Sequence, residues 1–153
     1  MKILVAIDGS ACSLAALDEA VALSGQLARP AALTLVNVHN DAFVRRHEHR
    51  FGKDAVDSFL AELHATDLAE ATERLDVQGT PYAVLRLDGD PALTIARHAA
   101  SGGFDLIVLG AKGRGAVSDV MLGSVVLKLL ATSSVPLLVV TGPRTSPAPP
   151  RVD

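Results

Sequence analysis

A β-α-β pattern decides the fold within residues 1–38, which read MKILVAIDGSACSLAALDEAVALSGQLARPAALTLVNV. Residues 3–7 form a continuous apolar run, typical of a strand covered on both faces, and a turn at Asp8 ends it. Residues 11–28 carry leucine and valine at helical spacing, and a second apolar run follows over residues 32–38. Two buried strands joined by a helix predict a parallel pair in an α/β sheet.

The rest of the chain repeats this alternation of strand and helix. The pattern predicts a surface loop over 39–52, helices over 53–75, 91–101 and 124–131, and strands over 80–87, 104–109 and 135–140. Helices that alternate with buried strands indicate a single doubly wound parallel sheet with helices on both faces. We expect one domain over residues 1–141. A proline-rich tail over residues 142–153 cannot extend the sheet.

Composition excludes several classes of function. The 153 residues hold 14 Lys and Arg against 17 Asp and Glu, and only 3% are aromatic. Neither a basic surface for duplexes nor a stacking platform for single strands is expected, so nucleic acid is not a predicted partner. No apolar run approaches the roughly eighteen residues of a membrane span, and residues 1–7 are too short for a signal sequence. The single cysteine suits a reducing compartment, so the expected location is the cytoplasm.

The loop after the fourth strand is the richest candidate for a ligand site, because ligands of doubly wound sheets bind beyond the carboxyl ends of the strands. Its fixed positions are three glycines and a serine: Gly110, Gly113, Gly123 and Ser124. Glycines let the backbone approach a ligand closely, and the start of the following helix favours an anion. Lys112 and Arg114 add positive charge. The spacing is neither a P-loop nor a dinucleotide fingerprint, and a flexible glycine-rich turn is the alternative interpretation.

These features resemble the ATP-binding branch of the universal stress protein family. The signature of that branch is Gly-x2-Gly-x9-Gly-[Ser/Thr], and residues 110–124 match it in full. Residues 3–10, 89–91 and 135–140 are similar to the family's first strand and turn, the start of its third helix and its closing strand. The resemblance covers residues 1–141. It implies a Rossmann-like, five-stranded parallel sheet with the strand order 3-2-1-4-5.

The same resemblance implies an ATP pocket whose base end lies at the first two strand tips. Asp8 would accept a hydrogen bond from adenine or ribose, and the backbone of Val38 would pair with the edge of adenine. The alternative role for Asp8 is that of a turn former together with Gly9. Mg²⁺ would be carried on the phosphates, because no carboxylate pair is evident to hold it.

The phosphate end of the implied pocket is the glycine loop. Gly110 and Gly113 would pass beside the ribose and the α-phosphate, and Gly123, Ser124 and Val125 would donate to the β- and γ-phosphates. Ser124 is also a candidate N-cap for the following helix. The full set of candidate binding residues is Ala6, Ile7, Asp8, Val38, Gly110, Lys112, Gly113, Arg114, Gly123, Ser124, Val125 and Val126.

The resulting hypothesis is an ATP-binding regulatory or stress-response protein that modulates a protein partner of unknown identity. Little or no hydrolysis is expected, because no residue could be assigned as a water-positioning base. A nucleotide-free interaction module of the same fold and a slow ATPase are the alternatives. A homodimer is also expected, because the apolar strand over residues 135–140 lies at a predicted sheet edge and the corresponding strand of the family pairs two subunits.

Three further features stay open at this level. The five histidines lack metal-ligand spacing, so a metal site is not predicted. Cys12 lies in the first turn of a helix, where a small buried side chain and a redox thiol are both conceivable roles. The basic run over residues 45–50 belongs either to a solvated loop or to a lid or partner contact beside the adenine slot.

Overall fold

A computed structural model describes residues 1–113 and 122–142 of the chain. Its elements, in chain order, are β1 (Lys2–Ala6), α1 (Ala11–Gln26), β2 (Ala32–His39), α2 (Ala42–Arg46), α3 (Glu48–Phe51), α4 (Lys53–Gln78), β3 (Tyr82–Asp88), α5 (Pro91–Ser101), β4 (Leu106–Gly110), α6 (Ser124–Thr132) and β5 (Leu137–Val140). The five strands form one sheet in the order β3-β2-β1-β4-β5, and every neighbouring pair is parallel. The predicted fold class and strand order are confirmed.

Each face of the sheet has its own hydrophobic core. Leu35 and Val108 face α1 and α4, where they pack in one cluster with Leu17 and Leu68. Leu4, Val36 and Ile107 face the opposite way and pack with residues of α5 and α6. Because side chains alternate between the faces of a strand, continuous apolar runs such as residues 3–7 supply both cores at once. No helix in the described part of the chain is both long and apolar enough to cross a membrane.

The prediction of a surface loop over residues 39–52 is wrong, because this segment contains α2 and α3. These helices have five and four residues, which is too short for a periodic apolar pattern to show in the sequence. Helix α4 continues to Gln78, beyond the predicted end, and stops where Gly79 adopts a left-handed conformation with φ of 63°. The proline-rich tail lies outside the described residues except for Gly142, so the domain boundary stays a prediction.

Candidate functional site

A cavity of about 530 Å³ opens at the carboxyl ends of β1, β2 and β4, bordered by the first turns of α5 and α6. Doubly wound sheets bind their ligands at this place, beyond the carboxyl ends of the strands. The structure brings eleven of the predicted residues to its wall: Ala6, Ile7, Asp8, Val38, Gly110, Lys112, Gly113, Gly123, Ser124, Val125 and Val126. Arg114 lies outside the described residues. Their gathering in one cavity does not test nucleotide binding, which stays a prediction.

Six wall residues were missed by the sequence analysis: Ser13, Val36, Pro91, Ile95, Leu109 and Leu122. Two of them could have been found from periodicity alone. Val36 precedes Val38 by two positions and therefore shares its face of β2, and Ile95 follows Pro91 by one helical turn. Val36, Ile95 and Leu109 are buried apolar side chains, and they give the cavity a hydrophobic wall.

The main chain of Val38 lies beyond the end of the neighbouring strand. The Ile7 N–H donates to the Val36 carbonyl at 2.9 Å, which shows that the backbone groups of Val36 point toward β1. Main-chain groups two residues apart in a strand point to the same side, so those of Val38 also face the β1 side. The β1–β2 pairing ends at Ala6 and Val36. One N–H and one C=O are therefore directed into the space beyond β1.

The Asp8 carboxylate lies between the turn after β1 and the loop after β4. One of its oxygens accepts a hydrogen bond from the Ser10 N–H at 3.0 Å, as a turn-forming aspartate does. The other oxygen lies 2.7 Å from the position that a Cβ on Gly113 would occupy. Ser10 in turn donates its hydroxyl to the Lys112 carbonyl at 3.4 Å. Both sequence interpretations of Asp8 are compatible with this position, and a side chain on Gly113 would require the Asp8 carboxylate to rotate away.

Gly110 and Gly123 also have structural roles that the sequence did not indicate. A Cβ on Gly110 would lie 2.6 Å from the carbonyl carbon of Cys12, so this glycine allows β4 to pack against the first turn of α1. Gly123 donates its N–H to the Ala111 carbonyl at 2.8 Å, which ties the two ends of the loop together. Gly123 is also the N-cap of α6 and Ser124 is the first helical residue, so the N-cap role suggested for Ser124 is wrong.

The N-terminal turn of α6 faces the cavity. This end of the helix dipole is positive, and no acidic side chain of the same turn neutralises it. Gly123, Ser124 and Val125 line the cavity, and the first turn contains no acidic residue. Unpaired N–H groups and the helix dipole make such an end attractive to an anion. Lys112 adds a cation to the same wall. Among the described residues, no group of three or more His, Cys, Asp and Glu side chains is placed to hold a metal ion.

Comparison with known proteins assigns the family. The sequence model of the universal stress protein family matches residues 1–141. The chain belongs to the universal stress protein family. It is 33% identical over 146 residues to the universal stress protein YxiE of Bacillus subtilis, a match that covers 91% of this chain and 97% of that protein. The resemblance inferred from the glycine loop is thereby confirmed at the level of the family.

Solved structures of other universal stress proteins share the fold. One was determined in complex with cAMP; it is 22% identical, with a TM-score of 0.62, and the match covers 93% of this chain and 97% of that one. Another, from Arabidopsis thaliana with AMP bound, is 15% identical, with a TM-score of 0.61 and coverage of 92% and 90%. At these sequence identities, the likeness shows that this chain shares its fold with both solved structures.

In this universal stress protein, a buried polar cluster lies on the opposite face of β2 from the cavity. Asn37 is 1% exposed and donates its side-chain amide to the Ile7 carbonyl at 2.7 Å, directly before Asp8. The same amide donates to Asp67 at 3.2 Å, and its oxygen accepts from His64. The cluster therefore fixes the end of β1 from behind. Its signal in the sequence is Asn37, an amide side chain within a run over residues 32–38 that is otherwise apolar except for Thr34.

The thiol of Cys12 is half-buried near the end of β5. Its sulfur lies 3.7 Å from the Thr141 carbonyl oxygen, and the first turn of α1 that carries it packs against Gly110. This position beside a close main-chain contact is consistent with the small-side-chain role, which stays one of the two interpretations of Cys12.

Proposed function

We propose that this universal stress protein binds ATP or a related adenine nucleotide in the cavity at the strand ends, and that occupancy modulates its contacts with a protein partner. The observation that carries the proposal is that residues from four distant parts of the sequence, the two strand tips and the two ends of the glycine loop, line one cavity. Relatives of the same fold crystallised with AMP and with cAMP support an adenine nucleotide as the ligand. The proposed location is the cytoplasm, which the single free thiol suits.

The hydrophobic end of the cavity suits the base. Val36 and Ile95 offer apolar walls, and the N–H and C=O of Val38 offer one donor and one acceptor beyond β1. Adenine presents an acceptor and an amino donor on adjacent atoms of its edge, so one residue's main chain could pair with it. In this proposal Asp8, which lines the cavity at the neighbouring strand tip, accepts a hydrogen bond from adenine or from a ribose hydroxyl.

The opposite end of the cavity suits the phosphates. The first turn of α6 supplies the N–H groups of Ser124 and Val125 and the Ser124 hydroxyl, and Lys112 supplies a positive charge. Gly123, whose own N–H donates to the Ala111 carbonyl, leaves room for the phosphates to approach this turn. In this proposal Gly110 and Gly113 pass beside the ribose and the α-phosphate. Mg²⁺ would be carried on the phosphates, as it usually retains water and needs few protein ligands.

Binding rather than hydrolysis is the proposed activity. Asp8 is the one carboxylate among the described residues that line the cavity, and it already accepts a hydrogen bond within the turn after β1. An efficient ATPase needs a group that orients the attacking water near the γ-phosphate. Asp8 is proposed to act at the base or ribose end, so it is not available for that role.

Calorimetry with ATP, ADP and AMP on nucleotide-stripped protein tests the proposal. We expect one site per chain, and tighter binding of ATP than of AMP because the β- and γ-phosphates reach the α6 N-terminus. Mass spectrometry of the ligand released from freshly purified protein provides an independent check. Absence of heat with all three nucleotides would favour the nucleotide-free interaction module, and steady release of phosphate from ATP would favour the slow ATPase.

A homodimer through residues 135–140 is the second part of the proposal. Strand β5 lies at the edge of the sheet, and all four of its residues, Leu137–Val140, are half-buried. An apolar edge strand with free main-chain groups is a template for pairing with a second copy. Light scattering at high micromolar concentration is expected to give about twice the 15.9 kDa mass of one chain. A mass of one chain under these conditions would contradict the proposal.

A further inference from the structure

Residues 42–51 present one face to solvent and one face to the protein. Helices α2 and α3 are separated only by His47, so the segment is nearly continuous. Phe43, His47 and Phe51 follow each other at spacings of four along this segment. The rings of Phe43 and His47 are in contact, with centroids 4.8 Å apart. Phe43 is 75% exposed and Phe51 is 68% exposed.

The opposite face of this segment is anchored by Arg45. Its guanidinium pairs with Asp41, with Asp57 of α4 at 3.3 Å and with Asp88 at the end of β3 at 3.3 Å. These carboxylates, Asp41 above all, raise the pKa of Arg45 above its ordinary value. One side chain therefore connects α2 to two other elements, so the outward face is presented in a defined orientation.

The outward face combines the two exposed phenylalanines with cations that are available to a partner. Arg46 and Arg50 are exposed, lie four residues apart in the sequence on either side of His47, and form no ion pair with any residue in the described ranges 1–113 and 122–142. Neighbouring Arg45 and Lys53, in contrast, are paired with carboxylates of the same chain. Exposed aromatic and arginine side chains together are the composition of interface hot spots.

We propose that this outward face, which we call the Phe43–Phe51 surface, is a docking site for an acidic protein segment with apolar side chains. Arg46 and Arg50 would pair with a small cluster of carboxylates on the partner segment. Phe43 and Phe51 would contact its apolar side chains. An anionic membrane is less well matched, because recognition of lipid surfaces usually uses about four to eight lysines or arginines. The proposed acidic segment is the kind of partner whose binding the nucleotide would modulate, so this proposal rests on that part of the proposed function.

Fluorescence anisotropy with the labelled peptide DDLFDELLDDFL, titrated with nucleotide-stripped protein, tests the surface without any nucleotide. The control probe is NNLFNQLLNNFL, in which amides replace the carboxylates. We expect the acidic peptide to bind more tightly, and to weaken as salt is raised. Phe43→Ser with Phe51→Ser, and Arg46→Gln with Arg50→Gln, are each expected to weaken binding about tenfold or more. Failure here would leave nucleotide binding untouched, so the two proposals can fail separately.

The matched control is Val77→Ser, which removes an 82% exposed apolar side chain at the far end of α4. It is expected to leave peptide binding unchanged, and thermal melts confirm that all variants are folded. Equal binding of both peptides, or equal losses in the Val77→Ser protein, would overturn the proposal. Binding to phosphatidylcholine vesicles containing one quarter phosphatidylserine, without binding to the acidic peptide, would identify a membrane contact and overturn it as well.

Discussion

Gly123→Val is expected to weaken ATP binding by more than about a hundredfold, which corresponds to roughly 3 kcal/mol. A Cβ at this position would already lie 3.3 Å from the Ala111 carbonyl oxygen, closer than ordinary contacts. The two further methyl groups of valine would displace the segment over residues 111–113 from the α6 N-terminus, and both parts line the phosphate end of the proposed site. Calorimetry with ATP on nucleotide-stripped protein measures the change.

The fold should survive this substitution. Gly123 has φ of −65° and ψ of 153°, an extended conformation that valine adopts readily. Two graded variants accompany it. Gly123→Ala should weaken binding less than valine does, because it adds only the Cβ. Asp8→Ala should cost about 1–2 kcal/mol if one hydrogen bond to the base or ribose is lost. Wild-type affinity in the valine variant would mean that the glycine loop does not hold the phosphates.

Gly110→Ala is expected to destabilise the protein by about 3 kcal/mol, at the upper end of the usual cost of overpacking. The new Cβ would lie 2.6 Å from the Cys12 carbonyl carbon and 2.8 Å from the Ser13 nitrogen. These are main-chain atoms of α1, so no side-chain rotation relieves the clash and the helix must move away from β4. Urea denaturation should show a lower midpoint with an unchanged slope.

Gly25→Ala is the matched control, because it makes the same change inside α1 at a position with no neighbouring atom within 4 Å. Replacing an exposed helical glycine with alanine is expected to stabilise the protein by about 0.5–1 kcal/mol. A Gly110→Ala variant as stable as this control would contradict the close approach of β4 and α1.

Strong local signals explain why so much of the fold could be predicted from the sequence. The strands are apolar runs bounded by turn residues, and Asp90 followed by Pro91 marks the start of α5, where the Asp90 carboxylate accepts from the Leu93 N–H at 3.1 Å. The glycine loop likewise indicated where a cavity should lie. The resemblance to the universal stress protein family, which the spacing of that loop carried, implied eleven of its wall residues, and these sit at strand tips, in the glycine loop and at one helix start.

The features that were missed depend on contacts between distant residues. Helices α2 and α3 are held by Arg45 pairing across to Asp57 and Asp88, and no local pattern reports such pairing. The cluster of Asn37, His64 and Asp67 forms only when α4 packs on β2. The packing role of Gly110 was missed for the same reason, since the sequence does not show that Cys12 lies against it.

Strand β2 extends beyond β1, and under the proposed function this offset determines which amino-acid substitutions near the base the protein tolerates. The donor and acceptor offered to the base belong to the main chain of Val38, so other apolar side chains at that position would leave base recognition intact. Asn37, one residue earlier, faces away from the cavity and donates its side-chain amide to the Ile7 carbonyl. Because this hydrogen bond comes from the side chain, most substitutions of Asn37 would remove it. Saturation mutagenesis is therefore expected to show that nucleotide binding tolerates few substitutions at Asn37, which does not contact the ligand, and many apolar substitutions at Val38, which does.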